Sequence, residues 1–250
     1  MPTLDYVKNF GLRAAFAKIF SFFFLKFFSK KTLAESGSAI DLMSIEGGGK
    51  IDSGNMPHEY RQYIEEQISR SVRRSTYVNR FRKFSGSRDR LIQQIAKITK
   101  NWHLNCETVV SIGCRDEREL VTIESLLRAS KIIGVDLFTG TGRIIIADMH
   151  DLPFDDDYFD VSVAIHSMEH SFDPHKSLGQ MHRVTKKGGL IAIEVPIGFE
   201  VTQFDRHDYK GLMGLVSYFP AGGVSVLWAE VENRIAISKP PSLRAIFQKK

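Results

Sequence analysis

The sequence predicts an α/β fold, with a doubly wound, mostly parallel sheet of seven strands and a C-terminal antiparallel hairpin. From residue 107 onward, short continuous apolar runs alternate with amphipathic segments, which is typical of parallel strands buried on both faces. Two apolar runs follow the last predicted helix and account for the hairpin. The length of 250 residues is enough for one large α/β domain with an appendage.

Two helices are predicted ahead of the sheet, within residues 57–101. The first has one apolar face, because an apolar residue recurs at every fourth position: Tyr60, Ile64, Ile68 and Val72. The second is predicted from about Arg88 to Lys100, after the sequence SGS at 85–87. Eight basic residues lie between 70 and 90. A cluster of this kind binds nucleic acid or forms a solvated helix face, and we favour the solvated face because no RNA-binding motif accompanies it.

The remaining elements follow in alternation. The predicted strands are TVVSIG (108–113), KIIGVD (131–136), RIIIAD (143–148), FDVSVAI (159–165), LIAIEVP (190–196), VSVLWAEV (224–231) and a last strand near 243–247. The predicted helices among them are 116–130, a helix around 174–184 and 208–218. This order predicts a Rossmann-like sheet with helices on both faces.

The N-terminal part divides into a hydrophobic basic segment, 1–31, and a linker, 32–56, ahead of the domain at 57–250. Residues 1–31 hold six basic residues and one acidic residue. Their net charge of +5 is the same as that of the whole chain, so residues 32–250 are neutral in sum. Residues 10–28 include eight phenylalanines and three cations. Two interpretations stay open: an interfacial helix on an anionic membrane surface, or a helix packed on protein. Glycine and serine predominate in 32–56, which favours a linker.

Composition excludes several classes of protein. Two cysteines, Cys106 and Cys114, rule out a disulfide scaffold and a four-cysteine zinc site, and no metal is predicted. No run of 18 uncharged apolar residues predicts a membrane span. A reducing, cytoplasmic location fits best, with peripheral membrane association through 10–28 as the open alternative. The sequence makes no prediction about oligomeric state.

Polar residues follow three of the predicted strands, where ligands bind in doubly wound sheets. Gly113 follows the first strand, where a tight turn and the start of a helix favour an anionic group. Asp136 ends the second strand, at a point where a carboxylate accepts hydrogen bonds from ribose hydroxyls. Asp148 and Met149 end the third, where they suit an exocyclic amine and an aromatic base. Together these residues predict a pocket for a ligand that contains adenosine.

The segment 148–196 resembles the central part of class I S-adenosylmethionine-dependent methyltransferases, most closely the small type with methyltransferase domain 11. The similarity rests on a D-x-x-x-LPF block at 148–154, FD at 159–160, and RV followed by GG at 183–189. SIGCRDEREL (111–120) and IIGVDLF (132–138) align with the first two motifs of that family. The resemblance implies S-adenosylmethionine as the cofactor. The cofactor-binding residues that it implies are Gly113, Cys114, Arg115, Asp136, Leu137, Asp148, Met149 and His166.

The first motif departs from the pattern of that family, which has three glycines. Only Gly113 remains, and Arg115 and Glu117 stand at the other two positions. Arg115 is suited to pair with the methionine carboxylate of the cofactor. Alternatively, Arg115 and Glu117 crowd or repel the cofactor and leave a non-catalytic binding or interaction module. We favour a working site because Asp136 and Asp148 are present.

His166 is the candidate catalytic residue. It follows the fourth strand, at the rim where an acceptor would meet the methyl group, and is predicted as a general base with a pKa near neutrality. Residues 166–170 also read H-x-x-E-H, the spacing of some zinc peptidases, but their position after a sheet strand argues against that chemistry. Glu169 and His170 are interpreted as residues that cap and pack the following helix.

The predicted function is methyl transfer from S-adenosylmethionine to an oxygen, nitrogen or carbon acceptor. A small molecule or a lipid-linked glycan is the expected acceptor, the latter because of segment 10–28. The first alternative is the non-catalytic module, and the second is an RNA methyltransferase, suggested by the basic cluster.

Overall fold

The computed structural model describes residues 56–78, 88–114, 117–138, 143–232 and 240–250. The helices in this part are α1 (His58–Val78), α2 (Arg88–Trp102), α3 (Glu117–Leu127), α4 (Pro174–Val184) and α5 (Leu212–Val216), with a 3-10 turn at Met168–His170. The strands are β1 (Thr108–Ile112), β2 (Lys131–Asp136), β3 (Ile144–Ile146), β4 (Phe159–Ile165), β5 (Thr185–Pro196), β6 (Val224–Glu232) and β7 (Ser242–Lys249).

The seven strands form one sheet in the order β3-β2-β1-β4-β5-β7-β6. Strands β1 to β5 pair in parallel, and β7 pairs antiparallel with both β5 and β6. The predicted Rossmann-like sheet with its C-terminal hairpin is therefore confirmed. The chain moves outward from β1 to β3 and then returns to β4 on the other side of β1. That reversal of direction places a crevice at the carboxyl ends of β1 and β4.

Apolar side chains fill both faces of the sheet, as continuous apolar strands require. Every residue of β4 is buried. Ile92 and Ile95 of α2 pack on one face, and Leu178 and Met181 of α4 pack on the other. All four side chains are fully buried, and each contributes roughly 1.5–3 kcal/mol to the free energy of unfolding. The sheet is thereby held as a rigid base for its carboxyl edge.

Two predicted elements begin at least four residues from their predicted starts. Strand β5 begins at Thr185 instead of 190, because Thr185 pairs with Phe159 across a register shift in the β4–β5 ladder. The helix predicted at 208–218 spans only Leu212–Val216. The Asp208 carboxylate accepts hydrogen bonds from the amides of Gly198 and Lys210, and Lys210 is left-handed with φ 57°. This turn occupies the residues that the prediction assigned to the first turns of the helix.

Helix α1 lies against the carboxyl edge of the sheet. Its predicted apolar face is confirmed at Ile64 and Ile68, which are buried, and Tyr63 beside that face is buried as well. On the same helix, the side-chain amide of Gln67 donates a hydrogen bond to the carbonyl of Phe204, in the segment after β5, at 3.3 Å. The helix therefore forms a wall above the crevice.

Several predictions fall outside the described residues: the segment 10–28, the linker up to residue 55, Arg115, and most of the basic cluster between 70 and 90. Of the helices that the described ranges contain, none is long and apolar enough to cross a membrane.

Candidate cofactor cleft

A cleft lies at the carboxyl ends of β1, β2 and β4, roofed by α1. It holds about 550 Å³ of empty space, part of it open to solvent. Six residues predicted from the sequence line it: Gly113, Asp136, Leu137, Asp148, Met149 and His166. The fold thus brings the three strand ends together at one site, as the topology requires.

Gly113 makes the first turn of the cleft possible. Its φ is +74°, and a Cβ atom at this position would lie 2.3 Å from the Cβ of Ser167. Any side chain would therefore be strained and would also collide with the residue that follows β4. Ser167 fixes this approach, because its hydroxyl donates to the carbonyl of Ile112 at 2.8 Å. Gly113, the one glycine that remains in the motif, is thus required by the close packing of this turn against Ser167.

Cys114 does not line the cleft. Its side chain is buried in the core beside Leu120, and its Sγ lies 2.6 Å from where a Cβ on Gly134 would stand. Its backbone amide contacts the carbonyl of Val135 at 3.4 Å. We therefore expect no cofactor contact from the Cys114 thiol.

Asp136 closes β2 at the floor of the cleft. Its Oδ1 accepts a hydrogen bond from the amide of Phe138 at 3.1 Å, and its carbonyl accepts from the amide of Ala147. These bonds fix the turn that carries the carboxylate and Leu137 into the cleft. A carboxylate in this position suits two adjacent hydroxyl groups.

Asp148 is held by three donors. Oδ1 accepts from the amide of His150 at 2.9 Å and contacts its Nδ1 at 2.6 Å, and Oδ2 accepts a short hydrogen bond from the Tyr60 hydroxyl. The amides of Phe172 and Asp173 donate to Nε2 of His150, which places the ring proton on Nδ1, facing the carboxylate. Burial acts to raise the pKa of Asp148, but these hydrogen bonds outweigh it and hold the pKa below its usual value.

His166 stands at the rim, between two glutamates. Its backbone is left-handed (φ 52°), and its amide donates to the carbonyl of Glu194 at 2.8 Å. Nε2 lies 3.3 Å from a Glu194 carboxylate oxygen, and Nδ1 lies 3.6 Å from one of Glu169. Burial acts to lower the pKa of His166, but the two carboxylates raise it to about 9. The two carboxylates favour the protonated ring, a state that does not suit a general base, and the general-base role of His166 stays a prediction.

A buried ion network supports Glu194 from behind. Arg244 on β7 is the register partner of Glu194 on β5, and its Nε donates to Glu194 at 2.9 Å. Neither side chain has any exposed surface. The same guanidinium donates to Glu230 at 3.0 Å and to Glu232, both on β6. The charge of Arg244 is thereby fully matched, and Glu194 is fixed opposite His166.

The wall of the cleft comes from residues that sequence reasoning missed. Tyr63, Gln67 and Ser71 of α1 line it, together with His170. The three helix residues are spaced four apart and lie one position before the predicted apolar stripe, a signal that could have identified them. His170 and Arg70 both reach Asp205, at 3.0 Å and 2.9 Å, and tie α1 to the segment after β5.

The interpretation of Glu169 and His170 as helix-capping residues needs correction. They form a 3-10 turn at Met168–His170, and the cap of α4 is instead Asp173, whose carboxylate accepts from the amide of Lys176. Within the described ranges, no group of three metal-ligating side chains is placed to hold a metal ion.

Comparison with known proteins identifies the domain that carries this cleft. Residues 110–193 match the family model described as "Methyltransferase domain". The solved structure of 1,6-didemethyltoxoflavin-N1-methyltransferase from Burkholderia thailandensis is similar, with 14% identity, a TM-score of 0.56, and coverage of 78% of this chain and 91% of that one. The (4+2)-cyclase SpnF is also similar, with 15% identity, a TM-score of 0.50, and coverage of 64% and 80%. No curated protein sequence matches the chain.

At such low identities the two structures show the fold alone. The segment that matches the family model runs from β1 to β5 and so contains Gly113, Asp136, Asp148 and His166. The model thus identifies a methyltransferase domain at residues 110–193 of this chain, and a domain of this kind points to S-adenosylmethionine as the cofactor.

Proposed function

We propose that the protein transfers a methyl group from S-adenosylmethionine to a small-molecule or lipid-linked acceptor. The observation that carries the proposal is the meeting of Gly113, Asp136 and Asp148 in one cleft of the methyltransferase domain. The fold alone would not suffice, because a cyclase shares it.

The residues present fit the cofactor. The turn at Gly113 has no side chain that would obstruct the methionine end, and the Asp136 carboxylate suits the ribose hydroxyls. Each carboxylate oxygen accepts about two hydrogen bonds. Tyr60 occupies one position on Oδ2 of Asp148, so the second remains for the exocyclic amine of adenine. Met149 lines the cleft beside it and offers a polarisable surface for the base.

The cofactor supplies an electrophilic methyl group, and the residues of the cleft position that group and the acceptor relative to each other. Helix α1 and the turn after β4 enclose the cleft on two sides, which limits the orientations of the two reactants. Holding the reactants in line is worth up to roughly 7–11 kcal/mol of the activation barrier. His166 contributes charge and shape at the rim, since Glu169 and Glu194 favour the protonated form of its ring.

Two other functions were open from the sequence. For RNA methylation, the described cations of the basic cluster give little support: Arg70 is paired with Asp205, and Arg90 is paired with Glu230 at 2.5 Å. A non-catalytic module stays as the outcome to expect if the cofactor does not bind, since Glu117 replaces a motif glycine at the start of α3.

Titration calorimetry of the full chain with S-adenosylmethionine tests the proposal. We expect micromolar binding that weakens about 10- to 100-fold in Asp136→Ala, because a charged acceptor of two hydroxyl groups is lost. Asp156→Ala is the matched control, because Asp156 is 72% exposed and pairs with Arg183 away from the cleft. Absence of binding by the folded wild-type chain would favour the non-catalytic module.

A further inference from the structure

A buried histidine supports the adenine end of the cleft without lining it. His150 is only 1% exposed, and it contacts Asp148, which does line the cleft. Burial of an imidazole costs free energy unless its two nitrogens are hydrogen-bonded, so the partners of those nitrogens indicate what the ring does.

The Nδ1 atom of His150 faces the carboxylate. It lies 2.6 Å from Oδ1 of Asp148 and 2.9 Å from the hydroxyl oxygen of Tyr60. The backbone amide of His150 donates to the same Oδ1 at 2.9 Å. With a proton on Nδ1, the ring and the amide fill both acceptor positions of Oδ1. Oδ2, which already accepts from Tyr60, is then the oxygen that keeps one position for a ligand.

The other ring nitrogen is held by the start of α4 and the residues before it. Nε2 accepts from the amides of Phe172 and Asp173, both at 3.2 Å. It also lies 2.9 Å from the hydroxyl of Ser171, which in turn lies 2.9 Å from that of Ser177. Neither serine has any exposed surface, and Asp173 is the N-cap of α4. Since two backbone N–H groups point at Nε2, the ring proton is fixed on Nδ1.

We propose that His150 is the positioning residue that gives the cleft its preference for a 6-aminopurine. The inference rests on the proposed binding of S-adenosylmethionine, with the exocyclic amine of adenine on Oδ2 of Asp148. By occupying Oδ1, His150 fixes the rotation of the carboxylate and keeps Oδ2 aimed at the amine. Loss of that donor should weaken the contact with the amine and leave the contacts of Gly113 and Asp136 with the rest of the cofactor in place.

The preference is measured by titration calorimetry of the full chain with two ligands. One is S-adenosylhomocysteine, and the other is the same molecule with hydrogen in place of the 6-amino group. We expect S-adenosylhomocysteine to bind about 10- to 100-fold more tightly, because the other ligand lacks a hydrogen bond to an ionised acceptor. Equal affinities for the two ligands would overturn the inference.

Two substitutions separate positioning from packing. His150→Asn places an amide N–H near the position of Nδ1, and so keeps a donor for Asp148 but loses the acceptor for Phe172 and Asp173. His150→Gln places its amide near the position of Nε2 and does the reverse. We expect His150→Asn to retain most of the preference and His150→Gln to reduce it below about threefold, through weaker binding of S-adenosylhomocysteine alone.

A purely structural role for His150 predicts a different result. The affinities for both ligands would then fall together, or the preference would be no larger in His150→Asn than in His150→Gln, and either result would overturn the inference. His182→Gln is the matched control, because His182 on α4 contacts the carbonyl of Gly223 at 3.1 Å and does not line the cleft. This change should leave both affinities unchanged.

A measurement on the wild-type chain keeps the test independent of whether the variants fold. In ¹⁵N NMR spectra of the complex with S-adenosylhomocysteine, we expect a proton on Nδ1 of His150, and a bare Nδ1 would overturn the inference. Failure of the folded wild-type chain to bind either ligand would instead contradict the proposed function, so the two failures are distinguishable.

Discussion

The two edges of the sheet use their charged side chains differently. At the amino edge, Asp160 is 4% exposed and accepts from the amide and hydroxyl of Thr108, both at 2.8 Å, and from Lys186 at 2.7 Å. Near it, Lys249 binds Asp157 and the carbonyl of Thr185. Every one of these bonds joins one part of the fold to another. These bonds at the amino edge therefore contribute to stability.

At the carboxyl edge, the same types of side chain surround an open cleft. Asp136, Asp148 and His166 each make internal bonds and also line the 550 Å³ space. The contrast indicates that internal hydrogen bonds at this edge orient groups toward a ligand, while those at the amino edge connect strands. Substitutions at the two edges should accordingly separate stability from binding.

The largest loss of stability is expected for Arg244→Met. The change leaves Glu194, which has no exposed surface, without its main counter-charge. Breaking a buried pair in this way costs about 3–5 kcal/mol. Urea unfolding should report that loss, and Arg143→Met, which breaks the half-exposed pair with Glu124, should cost less than about 1 kcal/mol. Equal effects of the two changes would contradict the buried network.

The second largest loss of stability is expected at alkaline pH, where His166 at the carboxyl edge loses its proton. The pKa of His166 is raised from 6.5 to about 9 in the folded state, where the charged groups facing it are Glu169 and Glu194, with Arg244 behind Glu194 and the His170 ring 4.0 Å from Glu169. Its contribution is fully present below pH 6.5 and is lost as pH rises through about 9, an effect of up to about 3 kcal/mol. Urea unfolding from pH 6 to 10 measures the loss. In Glu194→Gln the pKa of His166 should fall, and the pH dependence should shrink.

Asp160→Asn tests whether the amino edge affects stability without affecting cofactor binding. Lys186 and Thr108 hold the pKa of Asp160 below its usual value despite burial, so its contribution is present above about pH 4 and is lost as pH falls further. The substitution should cost roughly 1–3 kcal/mol of unfolding free energy at pH 7. Affinity for S-adenosylmethionine should not change, and a coupled loss of affinity would show that the two edges are not separable.

Tyr60→Phe should have the smallest effect. It removes one donor from Asp148 while the rings of Tyr60 and Phe172, 5.0 Å apart, stay packed. We expect about 1 kcal/mol, or roughly fivefold weaker binding of S-adenosylmethionine, with stability nearly unchanged. Tighter binding would show that the hydroxyl competes with the cofactor for Asp148.

The sequence predicted the sheet because its strands are continuous apolar runs, and strand order at the carboxyl edge then placed Asp136 and Asp148 together. It did not predict the state of His166, because Glu194 and Arg244 lie 28 and 78 positions away and meet it only through the β4–β5–β7 pairing. The wall residues of α1 were missed because the sequence does not show that this helix packs on the carboxyl edge. The late start of α5 was not predicted, because Asp208 bonds its own neighbours and forms a turn.

The most direct test is a crystal structure of the full chain with S-adenosylhomocysteine. We predict the ribose hydroxyls within hydrogen-bonding distance of Asp136, adenine beside Met149 with its amine on Asp148, and the thioether sulfur facing the rim at His166. A cofactor bound elsewhere, or a cleft that stays closed to it at saturating concentration, would contradict the assignment of this cleft as the cofactor site.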